Sequence, residues 1–139
     1  MKANELMIGD WVIFGDEPLK VQHIYNNGYD DIVAEIVEDG TNEYGVYEEI
    51  KDVPVVYCSP IPLTPEILEK NGFIKVNSQR YDYGYPDTDC YVKVNPKKNM
   101  IHVNGRNANS NLYSHSFVHE LQRALRLCGL DEIADNFKV

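Results

Sequence analysis

The sequence predicts an α+β protein: a small SH3-like β-barrel half, then an antiparallel sheet packed by a C-terminal helix in the order α-β-β-β-β-α. Three observations carry this. Short apolar stretches recur about every ten residues between Trp11 and Cys58, each closed by a turn signal. A proline-marked junction, S-P-I-P-L-T-P-E-I-L-E-K-N-G-F at 59–73, then introduces a short helix with both ends specified. Finally, one apolar stripe at helical spacing closes the chain. The expected organisation is an acidic β-barrel-like module at 1–59 and an α+β module at 60–139.

In the first module Trp11-Val12-Ile13-Phe14 ends at Gly15-Asp16, and Leu19 to Tyr25 ends at Asn26-Asn27-Gly28. The latter is a hairpin signal, because Asn and Gly tolerate positive φ. Asp31 to Val37 alternates and meets Glu38-Asp39-Gly40, read as a turn. Glu43 to Ile50 and Val53 to Cys58 complete five strands. The opening L-M-I-G-D-W-V, a Gly-Asp turn feeding an aromatic and β-branched strand, suits an SH3-like barrel among other small barrels.

In the second module Thr64 is the N-cap, Pro65 sits at N1, and Glu66 complements the positive end of the helix dipole. Asn71-Gly72 supplies a left-handed exit, with Phe73 returning to Leu68. Strands follow at 73–77, 80–85, 89–95 and 99–103, and the asparagine-rich stretch 104–111 reads as a loop. The last helix, 116–128, aligns Phe117, Leu121, Ala124, Leu125 and Cys128. Gly129 ends it, with Leu130 folding back on Leu125.

Charge is split along the chain. Residues 1–63 carry 13 Asp/Glu against 3 Lys/Arg, net −10, and residues 64–139 carry 9 against 10, net +1. An acidic first half suits a basic protein partner, or the basic surface of another copy. It argues against direct duplex DNA binding, which needs a basic footprint that only Lys97, Lys98 and Arg106 begin to offer. No apolar run approaches the roughly 18–20 residues that span a bilayer, so no membrane is expected. Gly9-Asp10 interrupts Leu6-Met7-Ile8, which argues against a cleaved signal, and a cytoplasmic setting is expected. Cys58, Cys90 and Cys128 form no C-x-x-C pair and read as reduced structural thiols.

Three stretches resemble a family of short proteins from Bacteroides-type bacteria and their prophages or mobile elements. They are A-N-E-L with I-G-D-W-V at 3–12, P-I-P-L-T-P-E-I-L-E-K-N-G-F at 60–73, and H-E-L-Q-R-A-L-R-L-C-G at 119–129. The resemblance spans about a third of the chain. It implies a bacterial or phage setting, and no activity, cofactor or catalytic residue.

Candidate chemistry is sparse. His115 and His119 are spaced i, i+4, with Glu120 adjacent, and His102 could supply a third metal ligand. That would suit a small metal-dependent hydrolase. However, H-E-L-Q-R lacks the second histidine of H-E-x-x-H, and His115 falls among cap candidates Ser114 and Ser116. Asp82, Asp87 and Asp89 lack the glycine and closing glutamate of a calcium loop. There is no G-x-S-x-G, phosphate-cradling loop or dinucleotide fingerprint, so no cofactor is expected.

A recognition surface is the preferred reading over catalysis. Tyr81, Tyr83 and Tyr85 share one strand face; Tyr47 and Trp11, with Glu48 and Glu49, mark the acidic half. Tyrosine offers a broad apolar face and a polar tip, suited to interfaces and equally to sheet packing. The expected function is a non-enzymatic protein-interaction module. The alternatives are the hydrolase and a structural homodimer formed through an exposed strand edge.

Overall fold

The computed structural model describes residues 1–84, 90–105, 108–113 and 116–139, with backbone alone at 36–39 and 108–113. The chain is α+β, rich in antiparallel sheet, and divides into two compact units, Met1–Pro60 and Ile61–Val139.

The first unit has six strands: β1 (Trp11–Phe14), β2 (Glu17–Lys20), β3 (His23–Asn26), β4 (Asp31–Asn42), β5 (Gly45–Pro54) and β6 (Cys58–Pro60). They form two three-stranded sheets, ordered β2-β1-β6 and β3-β4-β5. The turn before β1 is held by Asp10, which is fully buried. Its carboxylate accepts from the Met7 N–H at 2.9 Å, and its carbonyl from the Val21 N–H at 2.8 Å. Those bonds satisfy polar groups that burial would otherwise leave unmatched. Leu6, Val12, Leu19, Val21, Val33, Val53, Val55 and Cys58 form the core of this unit. Burial raises the Cys58 thiol pKa, in keeping with an inert structural thiol.

The strand boundaries differ from the sequence expectation in three places. The stretch 19–25 is two strands, because the chain changes partners in its middle. The Val21 N–H bonds Asp10 and the Gln22 N–H bonds the Ala34 carbonyl, so one side of the break serves each sheet. Glu38-Asp39-Gly40 is not a turn: the register slips between Ile36 and Glu38, and β4 runs on to Asn42. The reversal comes at Glu43-Tyr44, where the Asn42 side-chain oxygen accepts from the Tyr44 N–H at 2.8 Å and Gly45 takes φ 124°. Finally, 53–58 is the end of β5, a 3-10 turn at Val55–Tyr57, and the start of β6.

The second unit contains α1 (Pro65–Lys70), five strands and two further helices. The strands are β7 (Ile74–Asn77), β8 (Arg80–Gly84), β9 (Tyr91–Asn95), β10 (Met100–Gly105) and β11 (Ala108–Tyr113). They make one antiparallel sheet in the order β11-β10-β9-β8-β7. Helices α2 (Val118–Leu127) and α3 (Asp131–Asp135) complete the unit. The fifth strand corrects the loop expected at 104–111. Its asparagine-rich sequence has no apolar alternation to betray a strand, and backbone pairing with β10 makes it one.

Helix α1 forms as its sequence dictates. Thr64 Oγ1 accepts from the Ile67 N–H at 3.3 Å, Pro65 occupies the first turn, and Gly72 adopts φ 82°. The Phe73 N–H reaches the Leu68 carbonyl at 3.0 Å and the Gly72 N–H reaches Glu69 at 3.1 Å, a Schellman closure. Asn71 ties this end to the chain terminus. Its amide nitrogen donates to the Ile67 and Lys138 carbonyls, and its oxygen accepts from the Lys138 N–H.

Helix α2 starts two residues later than its apolar stripe suggests. Neither Ser114 nor Ser116 occupies the N-cap, which is Phe117, and Glu120 accepts from the N–H groups of Ser116 and Phe117 at 2.9 and 3.1 Å. Ser114 itself lies outside the described residues. Leu121, Ala124 and Leu125 are fully buried, Gly129 turns at φ 76°, and the Leu130 N–H returns to the Leu125 carbonyl at 2.9 Å. Buried Gln122 donates to the Ala134 carbonyl at 2.8 Å, joining α2 to α3.

The register assigns the two faces of this sheet. Tyr81, Val94 and Ile101 stand in one row, and Tyr83, Val92 and Val103 in the next. Both rows share the face of Gly105, where an added Cβ would lie 2.9 Å from Cys128 Cα. Helix α2 therefore covers that face. The opposite face carries Arg80, Asp82, Tyr91, Lys93, Met100 and His102.

Candidate functional site

Strand β5 alternates Val46, Glu48, Ile50 and Asp52 on one side against Tyr47, Glu49, Lys51 and Val53 on the other. At the root of the β4–β5 ribbon the second side is core: Val33 and Val53 are cross-strand partners, both buried. The first side is open. There a groove of about 410 Å3 is lined by Ile8, His23, Ile24, Tyr25, Ala34, Ile50 and Asp52. Ile8, Tyr25 and Ile50 are all substantially exposed, so its walls present apolar surface to solvent.

Asp52 stands at this groove opposite Ala34, which in turn pairs with His23. The Tyr25 hydroxyl donates to the Asp52 carboxylate, and that bond, with desolvation and the carboxylate charge, raises the Tyr25 pKa. The hydrogen bond holds the carboxylate beside the apolar floor, where a cationic group entering the groove would meet it.

Beyond the root, every residue from Thr41 to Ile50 is exposed, so among the described residues of this unit none covers the ribbon tip. Tyr44 is 89% exposed and Val46 79%. Tyr47 lies across Gly40, where an added Cβ would sit 3.1 Å from its ring. Glu43, Glu48 and Glu49 are exposed alongside, and the register sets Glu48 and Glu49 opposite Asp39 and Glu38. A two-stranded ribbon is marginal alone in water.

The sequence-predicted residues fall unevenly on this frame. Tyr47, Glu48 and Glu49 belong to the ribbon, and Trp11 is half-buried on β1 opposite Lys20. The tyrosine patch is corrected. Tyr81 is only 4% exposed, and half-buried Tyr83 packs against Phe73 with ring centroids 5.3 Å apart. Their cross-strand partners Val94 and Val92 place both on the covered face, which strand alternation alone does not identify. Tyr85 lies outside the described residues. The groove residues Ile8, His23, Ile50 and Asp52 were missed, because V-Y-E-E-I-K-D at 46–52 has no period-two alternation to mark a face.

The histidines do not converge among the described residues. His119 is buried on α2, stacked on Phe117 at 6.1 Å, whereas His102 is on the open side of the sheet. His115 lies outside the described residues. No group of three or more His, Cys, Asp or Glu suited to a metal occurs among the described residues. Cys90 and Cys128 adjoin: the Cys90 thiol donates to the Cys128 carbonyl at 2.5 Å. Burial and the neighbouring Cys90 raise the Cys128 pKa, which disfavours a nucleophilic thiolate. The edge strand β7 exposes Ile74 and Val76. No helix among the described residues is long and apolar enough to cross a membrane.

Comparison with family models, with curated proteins and with solved structures gave no match.

Proposed function

We propose that the chain is a non-enzymatic interaction module whose acidic first unit docks on a basic segment of a partner protein. The observation that carries this reading is the groove at the root of the β4–β5 ribbon. Its walls are apolar, the Asp52 carboxylate stands at its edge, and the line of side chains continues into exposed Ile50, Glu48 and Val46. An extended peptide with apolar residues next to Lys or Arg complements that line. Apolar contact provides affinity, and the carboxylates provide steering and register. The SH3-like reading of the first unit and the phage or mobile-element setting belong to the same proposal.

The test is a selection from a random displayed-peptide library with the full chain as bait, repeated with Asp52→Lys. Circular dichroism establishes that the variant keeps its fold. The proposal expects enriched sequences pairing Lys or Arg with apolar residues, released by moderate salt and lost with Asp52→Lys. Enrichment without basic residues, or enrichment indifferent to Asp52→Lys, refutes it.

A further inference from the structure

We propose that the open face of the five-stranded sheet binds a short single-stranded nucleic-acid segment. The first observation is a segregation of charge inside the second unit that its net +1 conceals. Between Ile74 and Gly105 the chain carries Lys75, Arg80, Lys93, Lys97 and Lys98 against Asp82, Asp87 and Asp89, a net of +2. The unit's other described carboxylates sit on helices: Glu66 and Glu69 on α1, Glu120 on α2, and Asp131, Glu132 and Asp135 on α3. The stretch from β7 to β10 is therefore mildly basic within an acidic chain.

The second observation is that two of these cations, Arg80 and Lys93, line a depression beside ring surface. A depression of about 250 Å3 on the open face is lined by Arg80, Lys93, Asn95, Met100 and His102 together with Val94. The Arg80 guanidinium is fixed by an ion pair to Asp82 at 3.0 Å. Lys93 Nζ rests 4.7 Å from the Tyr91 ring centroid, and the Tyr91 and His102 rings lie 5.9 Å apart, tilted by 34°. Cations for a phosphate, rings for a base and a thioether for its edge thus converge within three neighbouring strands. Lys97 and Lys98 continue the positive charge around the β9–β10 turn.

A nucleotide strand is the ligand whose chemistry uses all of these groups, since stacking platforms beside cations are how single strands are held without strong sequence preference. An acidic peptide would pair with Lys93 but would offer the Tyr91 and His102 rings no flat partner. A duplex hides its base faces and asks for a broader basic footprint. The groove lies at the small end of ligand sites, which limits the contact to about one or two nucleotides.

Fluorescence anisotropy of a labelled mixed-sequence ten-nucleotide strand, as DNA and as RNA, with full-length protein tests the proposal. Binding should weaken with salt at a slope of about −2, from roughly three cations at ~0.7 each. Lys93→Glu should lower affinity at least about tenfold and flatten that slope by about 0.7. Tyr91→Ala should lower affinity about tenfold with the slope unchanged, by loss of stacking. His102→Ala is the second ring variant should Tyr91→Ala unfold. Absence of binding overturns the proposal. So does equal binding of the matching duplex, equal competition by polyglutamate, or indifference to both ring variants.

Discussion

Replacing Gly105 with alanine distinguishes two opposite expectations for the second unit. In an unencumbered strand the change should stabilise, because glycine loses more conformational freedom on folding, by roughly 0.5–1 kcal/mol. Gly105 does not adopt positive φ, so no backbone strain opposes the alanine. Here, however, the new Cβ would lie 2.9 Å from Cys128 Cα and 3.4 Å from Cys128 Sγ. The nearer atom is backbone at the end of α2, which cannot swing away as a side-chain tip could. Overpacking of this kind costs about 1–3 kcal/mol, so the net effect should be destabilisation by about 1–2 kcal/mol. Urea unfolding followed by circular dichroism would show a lower midpoint with unchanged slope. The loss should persist in a Cys128→Ala background, because the α-carbon remains. A stabilised Gly105→Ala protein would refute the close approach of α2 to β10, and with it the assignment of covered and open faces.

Two other expectations follow from local geometry. The raised Tyr25 pKa means that the phenol is favoured in the folded state. Its contribution is complete below the ordinary tyrosine range and disappears as pH rises through the folded value. Ultraviolet phenolate titration should find Tyr25 ionising above the ordinary tyrosine range, and Asp52→Asn should move it back; an unmoved titration would contradict the Tyr25–Asp52 bond. Thr64→Ala removes the acceptor for the Ile67 N–H and should destabilise by about 1 kcal/mol in thermal melts, with Thr64→Ser close to wild type.

Helix α1 was legible residue by residue because its signals are local: Thr64, Pro65, Asn71 and Gly72 each act within a few bonds of the backbone they shape. The apolar stripe of α2 was legible because its 3.6-residue period survives whatever lies opposite. Strand β11 was not, since a strand made by pairing with β10 leaves no mark in an asparagine-rich sequence. The reversal at Glu43-Tyr44 escaped because Glu38-Asp39-Gly40 has turn composition, yet its residues continue the ladder with a register slip.

The candidate sites divide along the same line. Composition and order along the chain determined that the first half is acidic, that the junction at 59–73 carries a capped helix, and that apolar residues alternate along the strands. Those properties depend on residues near one another in sequence. Which side of each strand faces water depended on tertiary structure. Packing of α2 against one face of the sheet buried Tyr81 and left Lys93, Tyr91 and His102 on the other. Pairing of β3 with β4, and of β4 with β5, brought Tyr25 to Asp52. The physical reason is that alternation defines two faces of a strand, while only the contacts made by distant elements determine which one is covered.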